Sequence, residues 1–276
     1  MKTASTTEMT RGAYANVNGL ELYYEIHGTG NPLVLLHGGF GTIDMFAQLI
    51  PALAGTRQVI GVELQAHGRT ADIDRPMSFE FMADDVAALI RHLGLDRADV
   101  CGYSLGGGVA LQTAIRHPDV LHKLVVVSSP FRSAGWYPEV RAGFRSINAE
   151  AAKAWVGSPM HQAYVSVAPK PEAWPELVTK LGQLLAQDYD WSEGVSAIEA
   201  PTMIVIGDAD GVRTAHAVEF FELLGGGKKD AGWDGSGMSN ARLAILPATT
   251  HYSIFFSPML TSTVVPFLDA PMPDGK

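Results

Sequence analysis

The stretch Gly102-Tyr103-Ser104-Leu105-Gly106 places a serine between two glycines, just after the apolar run Asp99 to Cys101 and just before an apolar helical pattern. A serine hydroxyl is a weak nucleophile alone. It becomes effective when a base takes its proton and a third group orients that base. The G-x-S-x-G pattern meets the local requirement, because a sharp strand-to-helix turn exposes Ser104 Oγ in strained geometry. Small residues two positions to either side keep the backbone from colliding there. The following helix directs its free N–H groups and positive dipole end at any oxyanion formed nearby. Two other glycine-rich readings fail: a dinucleotide fingerprint needs glycine at position 104, and a phosphate-binding P-loop needs Gly-Lys-Ser/Thr.

Further chemistry-bearing residues fall in a consistent order. His37-Gly38-Gly39-Phe40 follows the apolar run Leu33 to Leu36, Asp208 and Asp210 follow Met203 to Ile206, and His251 follows Leu243 to Leu246. Nucleophile, acid and base thus come as Ser, Asp, His, each just past a strand. In a parallel sheet those strand ends share one edge, so side chains far apart in sequence can converge. Among the other histidines, His37 and His67 precede glycines and are expected to hold turns. His92, His117 and His122 sit at helix ends or turns, and His216 is expected at the surface of a helix. Cys101 reads as a small buried hydrophobe rather than a reactive thiol. No Cys/His spacing suggests zinc, and no metal is expected.

The elements that must position these groups are legible from period and punctuation. Asn18-Gly19 between two strand-like runs predicts a hairpin. Six apolar runs follow as strands, at Leu33–Leu36, Val59–Val62, Asp99–Cys101, Leu124–Val127, Met203–Ile206 and Leu243–Leu246. Helical spacing appears at 79–93, with Ser78 as N-cap and Gly94 as terminator, after Ser104, and at 214–224. Continuous apolar strands alternating with helices imply a parallel sheet covered on both faces. The alternation fails at 131–196, where short proline-broken helices carry Trp136, Trp155, Trp174 and Trp191. The expected organisation is a core of 1–130 and 197–276 with 131–196 inserted as a helical cap. Trp136, Trp155 and Met160 are its candidate substrate-binding residues, the alternative being that its aromatics form the cap's own core. The polar, glycine-rich loop 225–240 should connect at the sheet edge opposite the chemistry.

Composition narrows the setting. The 276 residues are enough for a large core. A net charge of −9 argues against nucleic acid and anionic membranes as partners. The single cysteine excludes an internal disulfide and fits a reducing compartment. The N-terminal stretch has no apolar core of a secretory signal, and no run is long enough to span a membrane. The expectation is a cytoplasmic protein.

Taken together, the Ser104 turn, the His37-Gly38-Gly39 segment and the Ser, Asp, His order resemble the α/β-hydrolase family over about residues 15 to 270. The resemblance implies a mostly parallel central sheet with helices on both faces and a helical cap. It implies catalytic Ser104, His251 and Asp210, the last because Gly207-x-x-Asp210 matches the family's placement and leaves Asp208 to brace the turn. The oxyanion hole would use the Leu105 N–H and a second N–H from Gly39 or Phe40. "VELQAHGRT" departs from the family's D-x-x-G-x-G-x-S turn at Glu63 and Ala66. The implied activity is hydrolysis of small, largely apolar carboxylic esters or lactones through an acyl-Ser104 intermediate, without a cofactor. Ser104 argues against dehalogenases and epoxide hydrolases of this fold, which use an aspartate at that turn. A triad-retaining ligand receptor, a cofactor-free haloperoxidase or perhydrolase, and a peptidase remain alternatives. The expected partner is the small-molecule ester or lactone, with no nucleic acid and no membrane; a homodimer is left open.

Overall fold

The computed structural model describes residues 12–271. Strands β1 (Gly12–Val17) and β2 (Leu20–His27) form the predicted hairpin. Its turn residues Asn18 and Gly19 take φ of 51° and 81°, the left-handed pair that matches strand twist across a two-residue turn. The remaining strands are β3 (Asn31–Leu36), β4 (Arg57–Val62), β5 (Ala98–Tyr103), β6 (Leu121–Val127), β7 (Thr202–Ala209) and β8 (Ala241–Thr250). The sheet order is β1-β2-β4-β3-β5-β6-β7-β8. β1 and β2 pair antiparallel, as do β2 and β4, and every later pairing is parallel. The chain leaves β3 toward one side of the sheet and, from β5 onward, builds the other. The carboxyl ends of β3 and β5 therefore flank the switch in strand order, where open α/β sheets form their binding crevice.

Each apolar strand feeds two cores in alternation. Val34, Leu36, Val100, Val126, Ile204 and Ile206 face one core, while Leu33, Leu35, Cys101, Val125, Val127, Met203 and Val205 face the other. The first is covered by α2 (Phe79–His92) and α3 (Leu105–Arg116), and by Ala217 and Phe220 of α9 (Thr214–Leu223). The second is covered by α1 (Leu49–Leu53) and α10 (Pro258–Asp269). Each fully buried Leu, Ile, Val or Phe contributes about 1.5–3 kcal/mol, so the absence of a polar face on these strands is what requires helices on both sides. α2 begins as its sequence predicts, with Ser78 Oγ accepting from Phe81 N–H at 3.0 Å, and ends before Gly94 at φ 69°.

Between β6 and β7 lie α4 (Pro138–Arg145), α5 (Ala149–Ala154), α6 (Pro159–Val167), α7 (Trp174–Leu185) and α8 (Ser192–Ser196). Trp174 is buried among them and donates Nε1–H to Ala152 O at 3.0 Å. At the opposite edge, the 225–240 loop leads into Ala241, which pairs with Thr202 at the first position of β7. The loop therefore joins β8 at the end of the sheet away from Ser104 and His251, as expected. The two departures in the β4 turn have local explanations. Buried Glu63 accepts from Ile43 N–H and from Arg69 at 2.7 Å, and Ala66 takes the φ of 64° that glycine would take more easily. Among the described residues no helix is long and apolar enough to cross a membrane.

Candidate active site

Ser104 occupies the turn between β5 and α3 with φ 52° and ψ −114°, a conformation that costs a non-glycine residue of the order of 1–3 kcal/mol. Packing on both sides enforces it. A Cβ on Gly102 would lie 2.0 Å from Gly106 O, and one on Gly106 would lie 2.3 Å from Leu36 O. The glycines permit β5, β3 and the start of α3 to approach this closely. The turn is pinned by Ser104 N–H to Val127 O (2.9 Å) and Gly106 N–H to His37 O (3.0 Å).

His251 lies just past β8, where the ladder with β7 is irregular. Gly207 pairs with Leu246 but Ala209 pairs with Thr250, so β8 carries extra residues between the two pairs. Ala248 in that bulge takes φ 50°. Asp208 braces it, its exposed carboxylate accepting from Thr249 N–H at 3.1 Å. The bulge brings His251 over the sheet edge, with Nε2 3.1 Å from Ser104 Oγ and Nδ1 3.0 Å from Asp210 Oδ1. Asp210 is buried and saturated with donors: Val212 N–H (3.1 Å) joins His251 at Oδ1, while Gly207 N–H (3.2 Å) and Ser128 Oγ–H share Oδ2. Burial alone would raise this carboxyl. The hydrogen bond and charge of His251, and the bonds from Ser128 and Val212, outweigh it and hold the group below its ordinary value. A carboxylate ionised in this way fixes the Nδ1–H tautomer and leaves Nε2 to accept a proton.

The candidate oxyanion segment is held by His37. Its buried ring takes the Leu64 N–H at Nε2 (3.1 Å) and bonds Gly38 O through Nδ1 (2.7 Å). Burial, and then the neighbouring His67, lower its pKa to about 3, so it stays neutral and structural. A Gly41 N–H to Gly38 O bond of 3.0 Å closes a turn around Gly39 and Phe40, with Phe40 at φ 60°. This turn lies against the Ser104 turn: a Cβ on Gly38 would come 3.4 Å from Ser104 Cβ. Among the described residues, the N–H groups of Gly39, Phe40 and Leu105 make no hydrogen bond. All three groups are thus unengaged by the protein.

The three substrate-binding candidates of 131–196 separate. Trp136 lines a recess shared with Ser104, and its ring stands 5.5 Å from that of His251. Trp155 backs the oxyanion segment instead, packing edge-on against Phe40 at 5.6 Å. Met160 is 39% exposed on α6 and does not line the recess. His216, expected at the surface of its helix, is a correction. It is 1% exposed, stacked on Phe131 at 4.2 Å, and accepts from Phe131 N–H at 3.3 Å, because α9 packs that face against the chain leaving β6. Cys101 is buried, and burial pushes its thiol up to about 12.

Sequence reasoning missed several contributors. Tyr103 donates its hydroxyl to His251 O at 2.7 Å and lays its ring 5.1 Å from the imidazole, which holds His251 from the position next to Ser104. Ser128 follows β6 at φ 52° with its hydroxyl donated to Asp210. Phe79, Ser129, Leu185 and Tyr189 complete the recess at Ser104. No local motif marks any of these.

Comparison with known proteins places the geometry in a family. A model of the α/β-hydrolase fold matches residues 31–228. A soluble epoxide hydrolase from Corynebacterium sp. is 38% identical over 125 residues, covering 44% of this chain and 42% of that protein. The dihydrolipoyllysine-residue acetyltransferase component of the acetoin cleaving system of Pseudomonas putida is 30% identical over 205 residues, covering 73% of this chain and 52% of that protein. The chain thus spans about half the length of these curated relatives. The enol-lactonase of Burkholderia xenovorans superposes with a TM-score of 0.70 at 23% identity, over 93% of this chain and 100% of that one, a likeness of fold. The chain belongs to the α/β-hydrolase family.

Proposed function

We propose that the protein is a serine hydrolase acting on small carboxylic esters or lactones, with 131–196 serving as a cap over the core. The observation that carries this reading is the continuous relay from Ser104 Oγ through His251 to buried Asp210, at 3.1 and 3.0 Å. His251 Nε2 takes the Ser104 proton as Oγ attacks the carbonyl carbon, and Asp210 stabilises the imidazolium that forms. The carbonyl oxygen, now negative, is held by Leu105 N–H and by the N–H of Gly39 or Phe40. Collapse expels the alcohol oxygen, which takes the proton from His251. Water, deprotonated by the same nitrogen, then releases the acid from Ser104. A hydroxyl nucleophile suits acyl transfer. The epoxide opening named for one relative would need a carboxylate at position 104 by the family pattern.

Ser104→Ala tests the proposal. It should lower kcat on 4-nitrophenyl acetate by on the order of 10⁴ with the melting temperature preserved, since triad members act as a unit. A folded variant that retains ester turnover removes Ser104 from the chemistry. A wild-type burst of one product per chain without sustained release would identify a ligand receptor instead.

A further inference from the structure

The Ser104 recess is closed almost to the size of one atom group, while the His251 side is open. The recess joins Ser104 and Leu105 to Phe79, Ser129, Trp136, Leu185 and Tyr189 and holds about 10 Å³, roughly the space needed for a single water. A methyl group is of that order. Its walls are braced. The rings of Phe79 and Tyr189 lie 5.6 Å apart, Phe79 and Trp191 5.1 Å, and Tyr189 stacks on Trp191 at 4.2 Å. Trp136 is 7% exposed and seated edge-on against Phe144 at 5.3 Å. A longer chain would have to displace these rings or Leu185 beside them.

Which half of the substrate lies in the recess follows from the proton. Ester cleavage makes the bond from Ser104 Oγ to the carbonyl carbon and breaks the bond from that carbon to the alcohol oxygen. The leaving oxygen takes the proton that His251 Nε2 accepted from Ser104, so the alcohol must depart alongside His251. His251 is not among the residues lining the recess, and Trp136 stands beside both. The recess therefore belongs to the acyl side. On the alcohol side the ring of Tyr252 lies 5.4 Å from His251. It is 82% exposed and forms no wall.

We propose, resting on the hydrolase reading above, that the enzyme is selective for very short acyl groups, acetyl foremost, and tolerant of the alcohol. Two substrate series at matched concentrations test this: 4-nitrophenyl acetate, butanoate, hexanoate and octanoate, and ethyl, butyl and hexyl acetates followed by acid release. From acetyl to hexanoyl kcat/KM should fall by on the order of 10- to 100-fold, while the acetates should differ by less than about fivefold, a hydrophobic pocket discriminating only where it encloses the group. Leu185→Ala should raise the hexanoyl-to-acetyl ratio by about tenfold, and the milder Leu185→Val should move it the same way by less, keeping a readout if the first variant folds poorly. Equal or rising rates with acyl length in the wild type overturn the acyl assignment alone. Discrimination by alcohol length instead would show that the two sides are exchanged, which also overturns it. If the wild type turns over none of these esters, the hydrolase reading falls and this inference falls with it.

Discussion

Replacing Asp210 by asparagine removes one charge and one acceptor from a carboxylate that receives four hydrogen bonds. Its Oδ1 serves His251 and Val212, and its Oδ2 serves Ser128 and Gly207. The amide can keep its oxygen toward His251 and Val212. Ser128 can then rotate and accept from the new NH₂, but Gly207 N–H faces a donor. The opposite orientation strands Val212 N–H and forces His251 to carry its proton on Nε2, facing Ser104. Either way one buried backbone donor loses its partner, a cost of about 1–3 kcal/mol in stability. The catalytic cost is larger in both, because the imidazolium loses its counter-charge and, in the second, the base is in the wrong tautomer. A loss of about 10⁴ in kcat is expected by analogy with other triads, equivalent to about 5.4 kcal/mol of transition-state stabilisation. Asp208→Asn is the control. That carboxylate is exposed and its amide oxygen can still accept from Thr249 N–H, so kcat should be retained. The assay is kcat on 4-nitrophenyl acetate for both variants, with thermal melts to show that each is folded. A larger catalytic loss at Asp208, or an Asp210→Asn enzyme within tenfold of wild type, would refute the assignment.

Two further outcomes concern parts of the molecule away from the relay. Deleting residues 228–236 should leave kcat/KM unchanged, since the loop meets the sheet where Ala241 pairs with Thr202; a loss above about tenfold with normal stability, where a packing-neutral surface change should cost far less, would place the loop over the site. Acid should unfold the protein through its buried histidines. Burial first, then neighbouring charges, hold His37 at about 3 and His216 at about 4, and burial holds His67 at about 4, all below the ordinary 6.5. These rings are neutral in the fold and protonated when unfolded at pH 5, so the unfolded state binds more protons and stability falls as pH drops from about 6.5 toward 4. The three together contribute a slope of about 4 kcal/mol per pH unit. Urea midpoints at pH 7, 6 and 5 measure it, and His67→Gln should reduce the slope by about 1.4 kcal/mol per unit; equal stability at pH 5 and 7 would refute the argument.

The features legible in the sequence were those whose cause is local. Gly102 and Gly106 flank Ser104 because the turn leaves no room for a Cβ, and that need is written within five residues. Apolar runs uninterrupted by polar positions predicted strands buried on both faces, and the alternating membership of Val34 and Leu35 in separate cores is the direct consequence. The resemblance to the family's Gly-x-x-Asp placement, counted from Gly207, singled out Asp210 over Asp208, and it is Asp210 that meets His251. What only the tertiary structure decided depends on residues brought together from separate elements. Ser128 reaches Asp210 because β6 lies beside β7, and Tyr103, at the end of β5, reaches His251 from across the sheet edge. The recess at Ser104 draws Phe79 from α2, Leu185 from α7 and Tyr189 from the following turn. The burial of His216 and the exposure of Met160 depend likewise on which face of a helix its neighbours cover, something no spacing within the helix records. A single sequence encodes backbone shape at each turn; the walls of a pocket are set by how distant elements pack.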